Sequence, residues 1–180
     1  MSQINYNIIK NILNKPNHIR GLAKELKTNQ TTIARKIKEL EEENIVDFKI
    51  EGKNKTYFLK NTIEAKEYVL IVEHVELLEI IKVYPILRNI IDKIKKEEKI
   101  EIAILFGSYA KRISNKESDI DIYIETKNKK IKEKIENINT KLSIKTGEYN
   151  KNNILIKEIE KDHIIIKGVE KYYEKNEIFE

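Results

Sequence analysis

The chain has no cysteine and no tryptophan, and among its 180 residues there are only two prolines, five glycines and three histidines. Without cysteine there is no disulfide framework and no thiolate metal site, and a reducing compartment is allowed. His18, His74 and His163 are scattered at no metal-ligand spacing. No apolar run is long enough to cross a bilayer. The opening MSQINYNIIK carries no signal-peptide pattern. A cytoplasmic protein with no membrane partner is expected.

What is present is a chain that is 40% hydrophobic and 36% charged, the composition of a soluble globular protein. The net charge is +5, and its placement is uneven. Residues 1–60 hold 12 Lys+Arg against 7 Asp+Glu, whereas residues 61–180 hold 23 of each. All the excess positive charge therefore lies in the first third, which points that third toward an anionic partner such as nucleic acid.

That first third reads as helix, helix–turn–helix, hairpin. Ile4, Ile8, Ile9 and Ile12 recur at helical spacing over residues 3–13, and Lys15-Pro16-Asn17 breaks the run. A second helix is predicted over about 18–26, with Ile19, Leu22, Ala23 and Leu26 inward. Asn29 is a good cap for a third over about 30–43, which turns Ile33, Ile37 and Leu40 inward. Two short β segments follow, 45–50 and 55–60, joined by Glu51-Gly52-Lys53-Asn54.

Residues 62–97 are strongly helical. Thr62 caps a run whose Val69, Val72, Leu77, Ile80 and Ile81 exceed what one buried stripe needs, so this helix is expected to join domains or to pair with a second copy. Pro85 opens a further helix carrying Ile86, Leu87, Ile90, Ile91 and Ile94. Ile100 to Phe106 then reads as a central strand, apolar on both sides. It runs into Gly107-Ser108-Tyr109-Ala110-Lys111-Arg112. A second strand follows, Ser118-Asp119-Ile120-Asp121-Ile122-Tyr123-Ile124, in which the isoleucines alternate with Asp119 and Asp121.

Two carboxylates on one side of a strand repel unless a cation lies between them. Mg²⁺ suits such a pair, because it takes one or two carboxylates plus phosphate oxygens. Gly107 lets backbone approach a phosphate closely, and Ser108 falls where a helix would begin. Beyond the motif, the pattern predicts a polar helix over 128–142, a turn at Gly147, a strand over 153–159, helix or strand over 162–167, and a last strand over 169–173. The lysine-rich stretch 127–134 reads as a solvated helix face, and Tyr172-Tyr173 as packing.

Two resemblances follow from these stretches. LAKELKTNQTTIARKIKELEEENIV, within residues 1–60, resembles the winged-helix transcription regulators. In that family the third helix enters the major groove of double-stranded DNA. The resemblance places Gln30, Thr31 and Thr32 at base edges, Arg35 and Lys38 at phosphates or guanine, and Lys53 and Lys55 on the wing against the backbone. A homodimer would then read two half-sites.

LFGSYAKRISNKESDIDIYIE, with Gly-Ser, ten intervening residues and Asp-x-Asp, resembles the minimal nucleotidyltransferases of the DNA polymerase beta-like superfamily. The resemblance implies that Asp119 and Asp121 are catalytic and hold Mg²⁺. It implies too that Gly107, Ser108, Lys111 and Arg112 bind the phosphates of ATP or another nucleoside triphosphate. Complete members carry a third carboxylate on the strand after the polar helix. Here that position falls near Asn152 or Asn153, with Glu148 the nearest acid.

The expected architecture is a two-domain α/β (α+β) protein. A winged helix–turn–helix occupies 1–60 and a connecting or dimerisation helix 61–84. A nucleotidyltransferase-like mixed sheet flanked by helices occupies 85–180. The implied activity is Mg-dependent transfer of AMP from ATP to a hydroxyl, with a partner toxin protein among the acceptors of the family and a DNA-binding regulatory domain in the same chain, as in an antitoxin. The alternative is a winged-helix regulator whose second domain is catalytically weak, and senses nucleotide or dimerises.

Overall fold

The computed structural model describes residues 2–179. The chain divides into two compact units, one reaching to Val72 and including Phe179, the other Glu73–Ile178. Both are mixtures of helix and strand, the fold class that the patterning predicts.

The first unit begins with α1 (Gln3–Asn14), capped by Ser2, whose hydroxyl accepts from the Asn5 amide at 3.3 Å. It buries Tyr6, Ile8, Ile9 and Ile12. The short α2 (Ile19–Glu25) leads to α3 (Gln30–Glu42), where the Asn29 side chain accepts from the Thr32 amide at 2.7 Å. Ile33, Ile37 and Leu40 are fully or almost fully buried, each worth roughly 1.5–3 kcal/mol relative to exposure. Asn44, at φ +62°, turns the chain out of α3, as asparagine readily does in the left-handed region. Strands β1 (Val46–Glu51) and β2 (Asn54–Leu59) pair antiparallel from Val46↔Leu59 to Glu51↔Asn54 around Gly52. A lone bridge between Asn17 and Tyr57 ties the hairpin back to the α1–α2 connection. This is the helix, helix–turn–helix, hairpin order that the patterning predicts.

Helix α4 (Ile63–Val83) is capped by Thr62, whose hydroxyl donates to the Asn44 carbonyl at 2.7 Å and accepts from the Ala65 amide. It carries apolar residues all round, leaving Ile63, Ile71, Leu78 and Val83 exposed. In the second unit α5 (Leu87–Lys96) follows the turn at Pro85. A four-stranded sheet follows, with order β5-β4-β3-β6. Its strands are β3 (Ala103–Phe106), β4 (Ile120–Glu125), β5 (Leu142–Gly147) and β6 (Ile164–Lys167). β3 is central and antiparallel to both β4 and β6, while β4 and β5 run parallel. One side of the sheet gives Leu105, Ile120, Ile122, Ile124, Ile144, Ile164 and Ile166 to a core shared with Leu87, Ile90 and Ile94 of α5 and with Ile131 and Ile135 of α7 (Lys129–Glu136). Tyr123, on the other side, meets Tyr149, which in turn meets Tyr172, in edge-to-face contacts.

Three expectations are corrected. The stretch 153–159 is not a strand but the start of α8 (Ile154–Lys161): the Asn153 side chain accepts from the Leu155 amide at 2.8 Å, and Ile156 and Ile159 are buried at helical spacing. The stretch 169–173 is the start of α9 (Val169–Asn176), entered through Gly168 at φ +79°, where a Cβ would stand 2.0 Å from the Glu101 carbonyl. The strand beside β4 is β5, formed by residues that the sequence pattern appends to the polar helix. α7 ends at Glu136, and the helix pattern through Ile138 and Leu142 is overridden by pairing of Leu142–Gly147 with β4.

Candidate active site

The site forms where β3 ends. Phe106 pairs with Asp121, so the chain leaving β3 turns directly over β4. Gly107 makes that turn at φ +69°, and a Cβ there would stand 2.5 Å from Asp121 Oδ2. Both the backbone conformation and the adjacent carboxylate therefore require glycine. The short helix α6 (Gly107–Ala110) follows, with Ser108 half-buried in it and Tyr109 buried. The Ser108 carbonyl accepts from the Ile113 amide at 3.0 Å. The loop leading to β4 is tied by Ser118, whose hydroxyl accepts from the Asn115 amide at 2.9 Å and donates to Asn115 Oδ1.

Asp121 lies on the side of β4 opposite the buried Ile120, Ile122 and Ile124, and is half-buried. Asp119 precedes the strand and is exposed. The Asp121 carboxyl is pushed up from the ordinary carboxylate range, first by burial and then by the Asp119 charge. A hydrogen bond from Ser143 and the Lys145 ammonium work the other way. A carboxylate close enough to disfavour the ionisation of Asp121 forms with it a donor pair that a cation would relieve.

That pair fits one Mg²⁺ ion sharing its remaining positions with water and phosphate oxygens. A richer set is absent: among the described residues no group of three or more His, Cys, Asp or Glu converges on a common point. The resemblance placed the third carboxylate on the strand after the polar helix. That strand is β5, and its residue opposite Asp121 is Ser143. Asn152 and Asn153 instead stand at the entrance to α8, and Asn153 caps it. Glu148 lies beyond the far end of β5 and pairs with Lys127 at 2.9 Å. It is five positions from Ser143, a span of up to about 16 Å along an extended chain. The Lys127 ammonium also holds the Glu148 carboxyl below its ordinary range. Glu148 therefore does not supply the third acid.

The two basic residues that follow the glycine turn have other partners. Arg112, at φ +58°, directs its guanidinium to Glu76 at 3.3 Å and Glu79 at 3.2 Å on α4. Lys111 is exposed, and its charge acts on Glu158 of α8. Reading along the chain missed Ser143 and Lys145. Their signal was the alternation in Leu142-Ser143-Ile144-Lys145, polar every second residue, which became meaningful once β5 was in place beside β4.

In the first unit the expected DNA-facing residues are on the surface but unequally available. Gln30 and Thr31 are exposed at the start of α3, and Thr32 is half-buried with its amide engaged by Asn29. Arg35 pairs with Glu39 at 2.8 Å and Lys38 with Glu42 at 3.8 Å. Lys53 is exposed in the β1–β2 turn, while Lys55 lies over the Phe48 ring, 3.7 Å from its centroid. A surface cavity of about 460 Å³ is lined by Arg20, Ala23, Lys24, Thr28, Asn29 and Gln30. Arg20 and Lys24 were not singled out by the sequence reading. Their spacing, i and i+4 on the outer side of α2, could have found them.

Comparison with known proteins bears on the second unit. Residues 88–172 match the model of the family described as polymerase beta, nucleotidyltransferase. The matched span runs from α5 into α9 and contains Gly107, Ser108, Asp119, Asp121, Ser143 and Lys145. It supports a place for this unit in the nucleotidyltransferase superfamily. No curated protein matches the chain. A solved structure similar to part of it is the transcriptional regulator BldR from Sulfolobus solfataricus, with a TM-score of 0.42 and 17% identity over 52% of this chain and 68% of that one.

Proposed function

We propose that the second unit binds a magnesium–nucleoside triphosphate between the Gly107–Ser108 turn and the Asp119/Asp121 pair and transfers its nucleotidyl group to a hydroxyl, while the winged helix binds double-stranded DNA. The observation that supports this reading is the close approach of Asp121 to the Gly107 turn, where a Cβ would stand 2.5 Å from Oδ2, which sets a glycine turn beside a pair of carboxylates. In the reaction an acceptor oxygen bonds to the α-phosphorus, the bond from that phosphorus to the pyrophosphate oxygen breaks, and the hydroxyl proton leaves to a base. Mg²⁺ would supply neutralisation of the phosphate charge; Asp119 and Asp121 would hold it, and the Gly107–Ser108 backbone with the Ser108 hydroxyl would orient the terminal phosphates. ATP as donor and a partner protein as acceptor, in the manner of an antitoxin, are part of the proposal, as is a homodimer reading two half-sites.

A second reading is favoured by one observation. With Ser143 rather than an acid opposite Asp121, the hydroxyl proton has no carboxylate waiting on β5. The unit would then bind nucleotide as a signal for the winged helix. Labelled ATP with Mg²⁺, with and without candidate acceptor proteins, separates the two readings. Transfer that disappears in Asp121→Asn supports the transferase. Nucleotide binding without transfer, together with nucleotide-dependent DNA affinity, supports the sensor. Absence of nucleotide binding overturns both.

A further inference from the structure

In a parallel ladder, residues opposite one another share a side of the sheet. Asp121 pairs with Ser143, Tyr123 with Lys145 and Glu125 with Gly147. Lys145 is therefore one pair along from the Asp121–Ser143 pair and on the same side, at a Cα separation from Asp121 of roughly 8 Å from strand spacing and rise. A four-carbon stem spans that gap easily, and the ammonium already acts on the Asp121 carboxylate. Lys145 is exposed and forms no ion pair among the described residues.

Two other cations close to the motif in sequence are occupied elsewhere. Arg112 is held by two glutamates of α4, and the Lys141 ammonium donates to the Lys116 carbonyl. The surroundings of Asp121 thus hold two carboxylates, a neutral hydroxyl and one ammonium within reach. A second divalent ion would find no third carboxylate there and would meet the lysine charge. A triphosphate arriving with one Mg²⁺ leaves negative oxygens that an ammonium can meet directly.

We propose that Lys145 binds the phosphates of the nucleotide, its ammonium standing on β5 beside Ser143 where a second cation would otherwise be recruited, so that the site takes one divalent ion per nucleotide. This rests on the nucleotide reading above and adds to it a residue and a stoichiometry.

The test uses the full chain and a non-transferable analogue, α,β-methylene-ATP. Isothermal titration gives affinity, and Mn²⁺ counted by its paramagnetic resonance gives ions bound per nucleotide. Lys145→Ala should weaken binding ~10- to 100-fold, the worth of one charge-assisted hydrogen bond. Lys145→Arg should restore most of it. The wild type should bind one Mn²⁺ per nucleotide. Circular dichroism of each variant establishes that it is folded.

Two outcomes overturn the proposal alone: tight binding by folded Lys145→Ala in a protein whose Asp121→Asn variant has lost affinity, or two Mn²⁺ per nucleotide in the wild type. Failure of the wild type to bind the analogue at all overturns the nucleotide reading itself, and is a separate result.

Discussion

The two units carry their charges differently. In the winged helix the excess is positive, yet much of the basic surface of α3 is paired along its own helix, Arg35 with Glu39 and Lys38 with Glu42. In the second unit, where 22 Lys+Arg stand against 20 Asp+Glu, one carboxylate is half-buried beside another. The first unit spreads its charge over a surface where each ion pair is worth little. The second sets charge where burial disfavours ionisation of Asp121. A surface of the first kind suits a long polyanion read over many weak contacts; a site of the second kind suits one small, highly charged ligand.

The largest expected effect breaks the second unit at its narrowest contact. Gly107→Ala puts a methyl 2.5 Å from Asp121 Oδ2 on a backbone at φ +69°. It should destabilise the protein by about 1–3 kcal/mol and abolish the thermal shift produced by Mg–ATP. An unchanged shift in the alanine variant would show that the turn and the acid pair do not form one site.

Asp121→Asn sharpens the comparison, because its two consequences have opposite signs. Burial raises the Asp121 pKa, so the folded chain favours the protonated form more than the unfolded chain does. Ionisation therefore costs stability as pH rises from the ordinary carboxylate range through the raised value, and the asparagine variant escapes that loss. Without ligand, Asp121→Asn should melt at a higher temperature than wild type at pH 7, and at a similar temperature at acid pH. With Mg–ATP the order should reverse. By the same reasoning, Mg–ATP affinity of the wild type should decline as pH falls through the raised pKa, at a pH above that for an ordinary aspartate.

Ser143→Asp tests whether the missing acid limits the chemistry. If the transferase reading holds, an acceptor for the hydroxyl proton next to Asp121 should raise the rate of label transfer at least ~10-fold. No gain, with nucleotide binding intact, would favour the sensor.

Legibility followed the range of the interactions. The elements of the first unit were readable because they are fixed by neighbours in sequence: Asn29 caps α3, Gly52 turns the hairpin, and Ile33, Ile37 and Leu40 keep one helical side. The Gly107–Ser108 turn and Asp121 were readable for the same reason, since β3 and β4 are antiparallel and close in sequence. The far side of the site was not. β5 is a parallel partner of β4, and its apolar residues Leu142 and Ile144 continue a helix-like pattern from Ile131, Ile135 and Ile138. Pairing with β4 decided between helix and strand there, and no local signal could. The third acid is expected near Asn152 or Asn153, beyond Ser143, because the sequence pattern puts the strand over 153–159, eleven residues after the start of β5. Arg112 was assigned to phosphate from its position after the motif; its partners, Glu76 and Glu79, lie more than thirty residues earlier.

The smallest effect concerns the first unit and asks which of its cations meets DNA. Arg35 must leave Glu39 to reach a phosphate, whereas Arg20 and Lys24 line an open cavity at the start of α3. In the proposed DNA complex the first helix of the helix–turn–helix would cross the backbone while the second enters the groove, which would set Arg20 and Lys24 against phosphates. Each phosphate contact removed should lower the slope of log affinity against log salt by about 0.9. Arg20→Ala and Lys24→Ala should each reduce that slope, uniformly across sequences. Arg35→Ala should change it less, because the Arg35 guanidinium is engaged by Glu39 and is not free to meet a phosphate. A slope that responds to Arg35 and ignores Arg20 and Lys24 would reverse the assignment, placing the phosphate contacts on α3 and leaving the α2 cavity without a role in binding.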